Sequence, residues 1–165
     1  MKKLNRKNKG FTLIEILVVI GIIAILAAIV IVAINPARQF AQARNTQRTS
    51  NVETILNAVG QKMADCKGVF DATATACTIS PVCPTTGTVT ATVKNIGTTV
   101  GATFVDLSCL TPTYISAGIP TDPTNGIAAD TKYTVQIDTS GRYTVCAPNA
   151  VEAAITGSTA ICLTR

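Results

Sequence analysis

The chain has 165 residues, 47% of them hydrophobic and 14% charged, with six cysteines, no histidine and no tryptophan. That length suits one ordinary domain, and the missing histidine removes the usual general base and the commonest metal ligand, so hydrolase and zinc-enzyme readings start far behind. The net charge of +5 comes wholly from Lys2, Lys3, Arg6, Lys7 and Lys9, leaving nine basic and nine acidic residues beyond them, a balance that offers little sign of a nucleic-acid-binding face.

Residues 1–10 read as a short basic leader. Residues 11–34 follow as an apolar run in which 21 of 24 residues are hydrophobic. A secretory signal peptide has a shorter apolar core that ends at an A-x-A-like site, and neither feature is present. A membrane span of ~20 apolar residues fits the length, with the basic leader kept inside and the C-terminal part exported. Glu15 is the anomaly, because an acid near the centre of a bilayer helix costs roughly 2–3 kcal/mol or more. A cut after Gly10 would supply a partner: Phe11 would then carry a free α-amine, one helical turn from Glu15. Pairing of amine and carboxylate, within a chain or between neighbours, would neutralise the acid and set the register between subunits.

The string Lys9-Gly10-Phe11-Thr12-Leu13-Ile14-Glu15, running straight into the apolar stretch, resembles the cleavage and methylation motif of type IV pilins and their pseudopilin relatives. The likeness is strong over about residues 7–65. It implies cutting between Gly10 and Phe11 by a prepilin peptidase and N-methylation of Phe11. It implies pairing of Glu15 with the Phe11 amine of an adjacent subunit, and a helical filament with the apolar helices in its core. Small residues among the branched ones, Gly21, Ala24, Ala27 and Ala28, suit close helix packing. Many pilins kink their apolar helix at an internal proline; this chain has none before Pro36.

Residues 35–66 read as an amphipathic continuation of the helix. Asn35-Pro36 is open to two readings: an N-cap with proline at the first position of a new helix, or a kink at Pro36 in one long helix. The second is the expectation adopted. Val52, Ile55, Leu56, Val59 and Met63 recur on one face, with Arg38, Arg44 and Arg48 around them. The arginines read as a solvated face, the other reading being contacts to neighbouring subunits or DNA. An unbroken helix from Phe11 to Asp65 would be about 80 Å long at ~1.5 Å per residue.

Residues 67–165 read as a Thr-rich β head outside the cell. Expected strands are Thr88–Lys94, Lys132–Asp138 and Arg142–Ala147 (a hairpin across Thr139-Ser140-Gly141), and Thr159–Thr164. Phe70–Thr86 reads as a loop, and Leu107–Pro123 as a loop with a brief helical turn. All six cysteines (Cys66, Cys77, Cys83, Cys109, Cys146, Cys162) follow the apolar run, and none forms a CxxC pair. They read as a disulfide set in an oxidising compartment. Cys146–Cys162, in neighbouring strands, is the first bridge expected, with Cys66–Cys109 and Cys77–Cys83 as further candidates among 15 possible pairings.

The stretch from Ile119 to Gly126 resembles the loop of major pseudopilins where calcium can bind; Asp122, Asn125 and Asp130 would offer oxygen ligands. The plainer reading is that Pro, Asp, Asn and Gly make turns there, and no other cofactor is expected. No Walker A, GxGxxG, GxSxG or HExxH motif occurs, so no enzyme activity is expected.

The fold class expected is α+β: a long N-terminal helical spine packed against a small antiparallel β-sheet head, as in type IV pilins. The expected function is a structural subunit of a pilus, serving motility or adhesion. The alternatives are a pseudopilin of a secretion or DNA-uptake machine and a membrane-tethered or tip adhesin. Expected partners are copies of the chain itself, the prepilin peptidase and the assembly machinery. The precursor would sit in the inner or cytoplasmic membrane and end in an extracellular filament, without direct nucleic-acid binding by the head.

Overall fold

The computed structural model describes residues 10–70 and 88–165. The chain divides into two compact units, Met1–Gln39 and Phe40–Arg165.

The first unit is built on α1, Leu13–Ala33. Every large apolar side chain from Phe11 to Ile31 is at least half exposed, so α1 has no buried face of its own. Its Leu13–Ile31 stretch is long and apolar enough to cross a membrane, about 28 Å at ~1.5 Å per residue. The helix stops where the chain meets Asn35-Pro36. The Ile34 N–H still donates to the Val30 carbonyl at 3.0 Å, but Ile34 itself is extended. Pro36 has no N–H to continue the ladder and pushes Asn35 out of the α region. A second helix, α2, then starts at Pro36 and runs to Asp65. Asn35 caps it: its side-chain oxygen accepts from the Arg38 N–H at 3.2 Å. The continuous helix kinked at Pro36 is thus corrected to two helices, with Asn35 as cap and Pro36 at the first position.

In the second unit, α2 lies on a five-stranded sheet. The strands are β1 Lys94–Ile96, β2 Phe104–Val105, β3 Thr134–Ile137, β4 Tyr143–Ala147 and β5 Ile161–Thr164, in the order β2-β1-β3-β4-β5. β1 and β2 are parallel and the other pairs antiparallel, so the sheet is mixed where a purely antiparallel one was expected. The β3–β4 hairpin turns across Thr139-Ser140-Gly141, where Gly141 supplies a φ of 80°. The expected strand at Thr88–Lys94 is displaced: β1 begins only at Lys94, while Thr90 touches the ladder once by accepting from the Ile137 N–H. A 3-10 turn at Ser108–Leu110 supplies the expected helical turn.

The core forms between helix and sheet. Val52, Ile55, Leu56 and Val59 of α2 are buried, and Met63 packs at their margin. Facing them are Ile96, Val105, Val135, Val145 and Ala147, with the Phe70 and Tyr143 rings 5.4 Å apart. Burying each of the larger aliphatic side chains stabilises the fold by about 1.5–3 kcal/mol. Alternation along β4 turns Tyr143, Val145 and Ala147 inward and leaves Thr144 and Cys146 on the outer face. Cys146 and Cys162 are directly opposed across β4 and β5, with Cα atoms 4.1 Å apart, and form the expected disulfide. Cys66 and Cys109 are disulfide-bonded too, but a Cys66–Cys109 bridge is not among those joining two described residues. Cys77, Cys83 and most of the Phe70–Thr86 loop lie outside the described residues.

Candidate functional site

The residues of the expected processing and assembly site lie at the head of α1. Gly10 and Phe11 are exposed and precede the helix, so the bond between them sits in non-helical chain. A Cβ built on Gly10 meets no atom within 4 Å. The fold of this chain therefore does not require glycine there, and a demand for a small residue would have to come from whatever cuts the bond.

Thr12 is the N-cap of α1, and with Glu15 it closes a capping box. Glu15 Oε2 accepts from the Thr12 N–H at 2.8 Å and from Thr12 Oγ1 at 2.8 Å. The Glu15 N–H in turn donates to Thr12 Oγ1 at 3.3 Å. The T-x-x-E signature of this box is present in the sequence at Thr12 and Glu15, alongside the pairing expected with the Phe11 amine. The box satisfies two backbone donors that the first helical turn would otherwise leave orphaned. It also aims the carboxylate back toward the chain before the helix. No donor among the described residues reaches Oε1.

With that geometry in hand, residues 5–31 match the family model described as the prokaryotic N-terminal methylation motif. Over these residues the chain is similar to the N-terminal signal of type IV pilins and pseudopilins. The match covers the second half of the basic stretch, the Gly10–Phe11 bond, Glu15 and most of α1. This is a structural, pilin-type motif rather than an enzyme signature. No curated protein and no solved structure matches the chain.

A second polar constellation, missed in the sequence, lies on α2. Arg48 is almost completely buried, with 1% of its surface exposed. Its Nε donates to Asp122 Oδ2 at 2.7 Å, and its Nη1 pairs with Glu152 Oε1. Nη1 also donates to Asn45 Oδ1 at 2.8 Å, and Nη2 donates to Thr124 Oγ1 at 2.9 Å. Arg44 adds a two-pronged pair to Glu152, at 2.8 and 2.7 Å. Hydrogen bonds from Arg44 and Arg48 hold the Glu152 carboxyl down at about 2. Burial pushes the Asp122 carboxyl up, but the Arg48 guanidinium and the Thr124 N–H outweigh it and the net shift is downward. So the solvated-face reading holds for Arg38, which is exposed, holds only in part for half-buried Arg44, and is overturned for buried Arg48; Arg44 and Arg48 tie α2 to two C-terminal loops.

Each of the three candidate calcium ligands is engaged with another side chain. Asp122 is occupied by Arg48, Asn125 Oδ1 accepts from the Asn149 amide at 3.0 Å, and Asp130 pairs with Lys132. A cation at Asp122 would have to displace a buried guanidinium, and no metal-binding cluster occurs among the described residues. The loop is a turn held by its own contacts, with the Gly126 N–H donating to the Asp122 carbonyl at 3.0 Å. A Cβ at Gly126 would come within 2.2 Å of the Asp122 nitrogen, so glycine is needed there for close approach.

Proposed function

We propose that this chain is a structural subunit of a type IV pilus. A prepilin peptidase cuts it between Gly10 and Phe11, Phe11 is N-methylated, and α1 then carries the subunit into a helical filament. Before assembly α1 lies in the cytoplasmic or inner membrane with the leader inside and the head outside. Assembly moves it from lipid into a bundle of like helices, and the heads form the extracellular surface.

One observation carries this reading. Glu15 stands at the head of an apolar helix with no buried face, its carboxylate turned toward the Thr12 N–H and one oxygen still open. The amine that cleavage would free at Phe11 belongs to the adjacent residue. An ammonium there, from the same chain or a neighbour, would neutralise the acid where charge pairing is strongest. The filament reading is preferred to a secretion pseudopilin because the residues of the calcium-like loop are already engaged with one another and with Arg48 and Lys132.

Glu15→Leu tests it. The variant should insert in the membrane at wild-type level and yield no sheared filaments. Wild-type filament yield from Glu15→Leu would overturn the pairing.

A further inference from the structure

Four acids of the head, Asp122, Asp130, Asp138 and Glu152, each meet an arginine or a lysine. Asp106, directly after β2, does not. It is nine-tenths buried. Its Oδ1 accepts from the Ser108 N–H at 2.8 Å, and no donor among the described residues reaches Oδ2. No buried side-chain oxygen among the described residues lacks a partner, so Oδ2 keeps access to solvent and can be reached by a ligand. Asp106 also lines a cavity of about 280 Å3 whose walls are mainly apolar, with Ile96, Leu107, Ala117, Ile119 and Ala128 among them.

The cavity selects among cations. Calcium takes 6–8 oxygen ligands, and one free carboxylate oxygen is a poor substitute where the lining Thr98, Thr111 and Thr131 hydroxyls already donate to backbone carbonyls. A guanidinium prefers both oxygens of a carboxylate in a fork, and Ser108 holds one of them. A primary ammonium is a compact charge that can pair with one carboxylate oxygen, and its alkyl stem is at home against Ile96, Leu107 and Ile119. The volume lies just below the ~300–1,000 Å3 of drug-sized pockets, which suits a short chain.

We propose that this cavity binds a primary alkylammonium group, with its nitrogen on Asp106 Oδ2 and its stem along the apolar wall. The group can belong to a small free amine or to a lysine side chain presented by a peptide. The site stands apart from the filament reading and does not depend on it.

The test is titration of the 15N-labelled full chain in detergent micelles, followed by amide spectra. The probes are n-butylammonium, N-acetyl-lysine amide, butan-1-ol and calcium. At least one ammonium probe should shift the Ser108, Gly118 and Ala128 amides saturably, and the tighter of the two identifies the source of the group. Butan-1-ol should bind at least tenfold more weakly. Asp106→Asn should weaken the ammonium at least tenfold. Ala117→Leu, which fills the space and leaves the carboxylate in place, should do the same and serves if Asp106→Asn does not fold. No saturable shift with either ammonium, equal binding of the alcohol, unchanged binding by a folded Asp106→Asn, or calcium outcompeting the amines would each overturn the proposal.

Discussion

Glu15 places a charge on an apolar helix and Arg48 places one on the buried face of α2, and the two regions deal with it differently. Arg48 finds Asp122 and Glu152 on loops 74 and 104 residues further along, and both pairs are closed within the head. Among the described residues Glu15 finds only Thr12, three residues back, and keeps one oxygen open. The surroundings differ in the same sense. The apolar face of α2 is covered by the sheet, whereas every large side chain of α1 up to Ile31 stands exposed. The head is complete as one molecule. The N-terminal helix is complete only in lipid or against other helices. On the proposed reading, assembly uses the region that its own fold leaves unfinished.

If that contrast is right, the largest single effect on folding belongs to Arg48. Arg48→Leu strands the fully buried carboxylate of Asp122, while Glu152 keeps Arg44, and should cost about 3–5 kcal/mol in denaturant unfolding. Replacing Arg48, Asp122 and Glu152 together by apolar residues should recover much of it. The pH profile carries the sign. Glu152 is depressed from 4.5 to about 2, and Asp122 is also lowered. Their contribution is fully present above about pH 4.5 and is lost as pH falls towards 2. In Arg48→Leu that acid slope should flatten. An unchanged slope would remove the cluster from the account.

Next in size is the disulfide. Cys146 and Cys162 are 16 residues apart, and a loop of about 15 residues corresponds to about 3 kcal/mol of unfolded-state restriction. The Cys146→Ala, Cys162→Ala double variant should lose stability of that order while filament-forming ability persists at low temperature. Loss of filaments from a fully folded double variant would mean that the head is not self-sufficient. The smallest effect is expected at Thr12. Thr12→Val removes the cap and should cost about 1 kcal/mol of helix stability. It should reduce filament yield far less than Glu15→Leu does, because the acid itself remains.

Much of this was legible from residue order. The apolar run gave α1, the spacing of Val52, Ile55, Leu56 and Val59 gave the buried face of α2, and alternation with turn residues gave β3, β4, β5 and the Cys146–Cys162 pair. Three things were not. Arg48 lies on the same stripe as Val52 and Ile55, four and seven residues on; a cation at a core position signals a buried anion, but its partners are remote in sequence. The break at Ile34 was obscured because Asn-Pro serves a kink and a cap equally well, and only the Arg38 N–H bond to Asn35 separates them. The parallel β1–β2 pair joins very short strands, Lys94–Ile96 and Phe104–Val105, too brief for a period-2 pattern to register.

The most direct measurement is mass spectrometry of the N-terminal peptide from a sheared cell-surface fraction. The account predicts a peptide beginning at Phe11 and carrying an N-methyl group. A peptide that still begins at Met1, found only in membranes, would contradict it: α1 would then be a plain anchor, and the open oxygen of Glu15 would have no amine to meet.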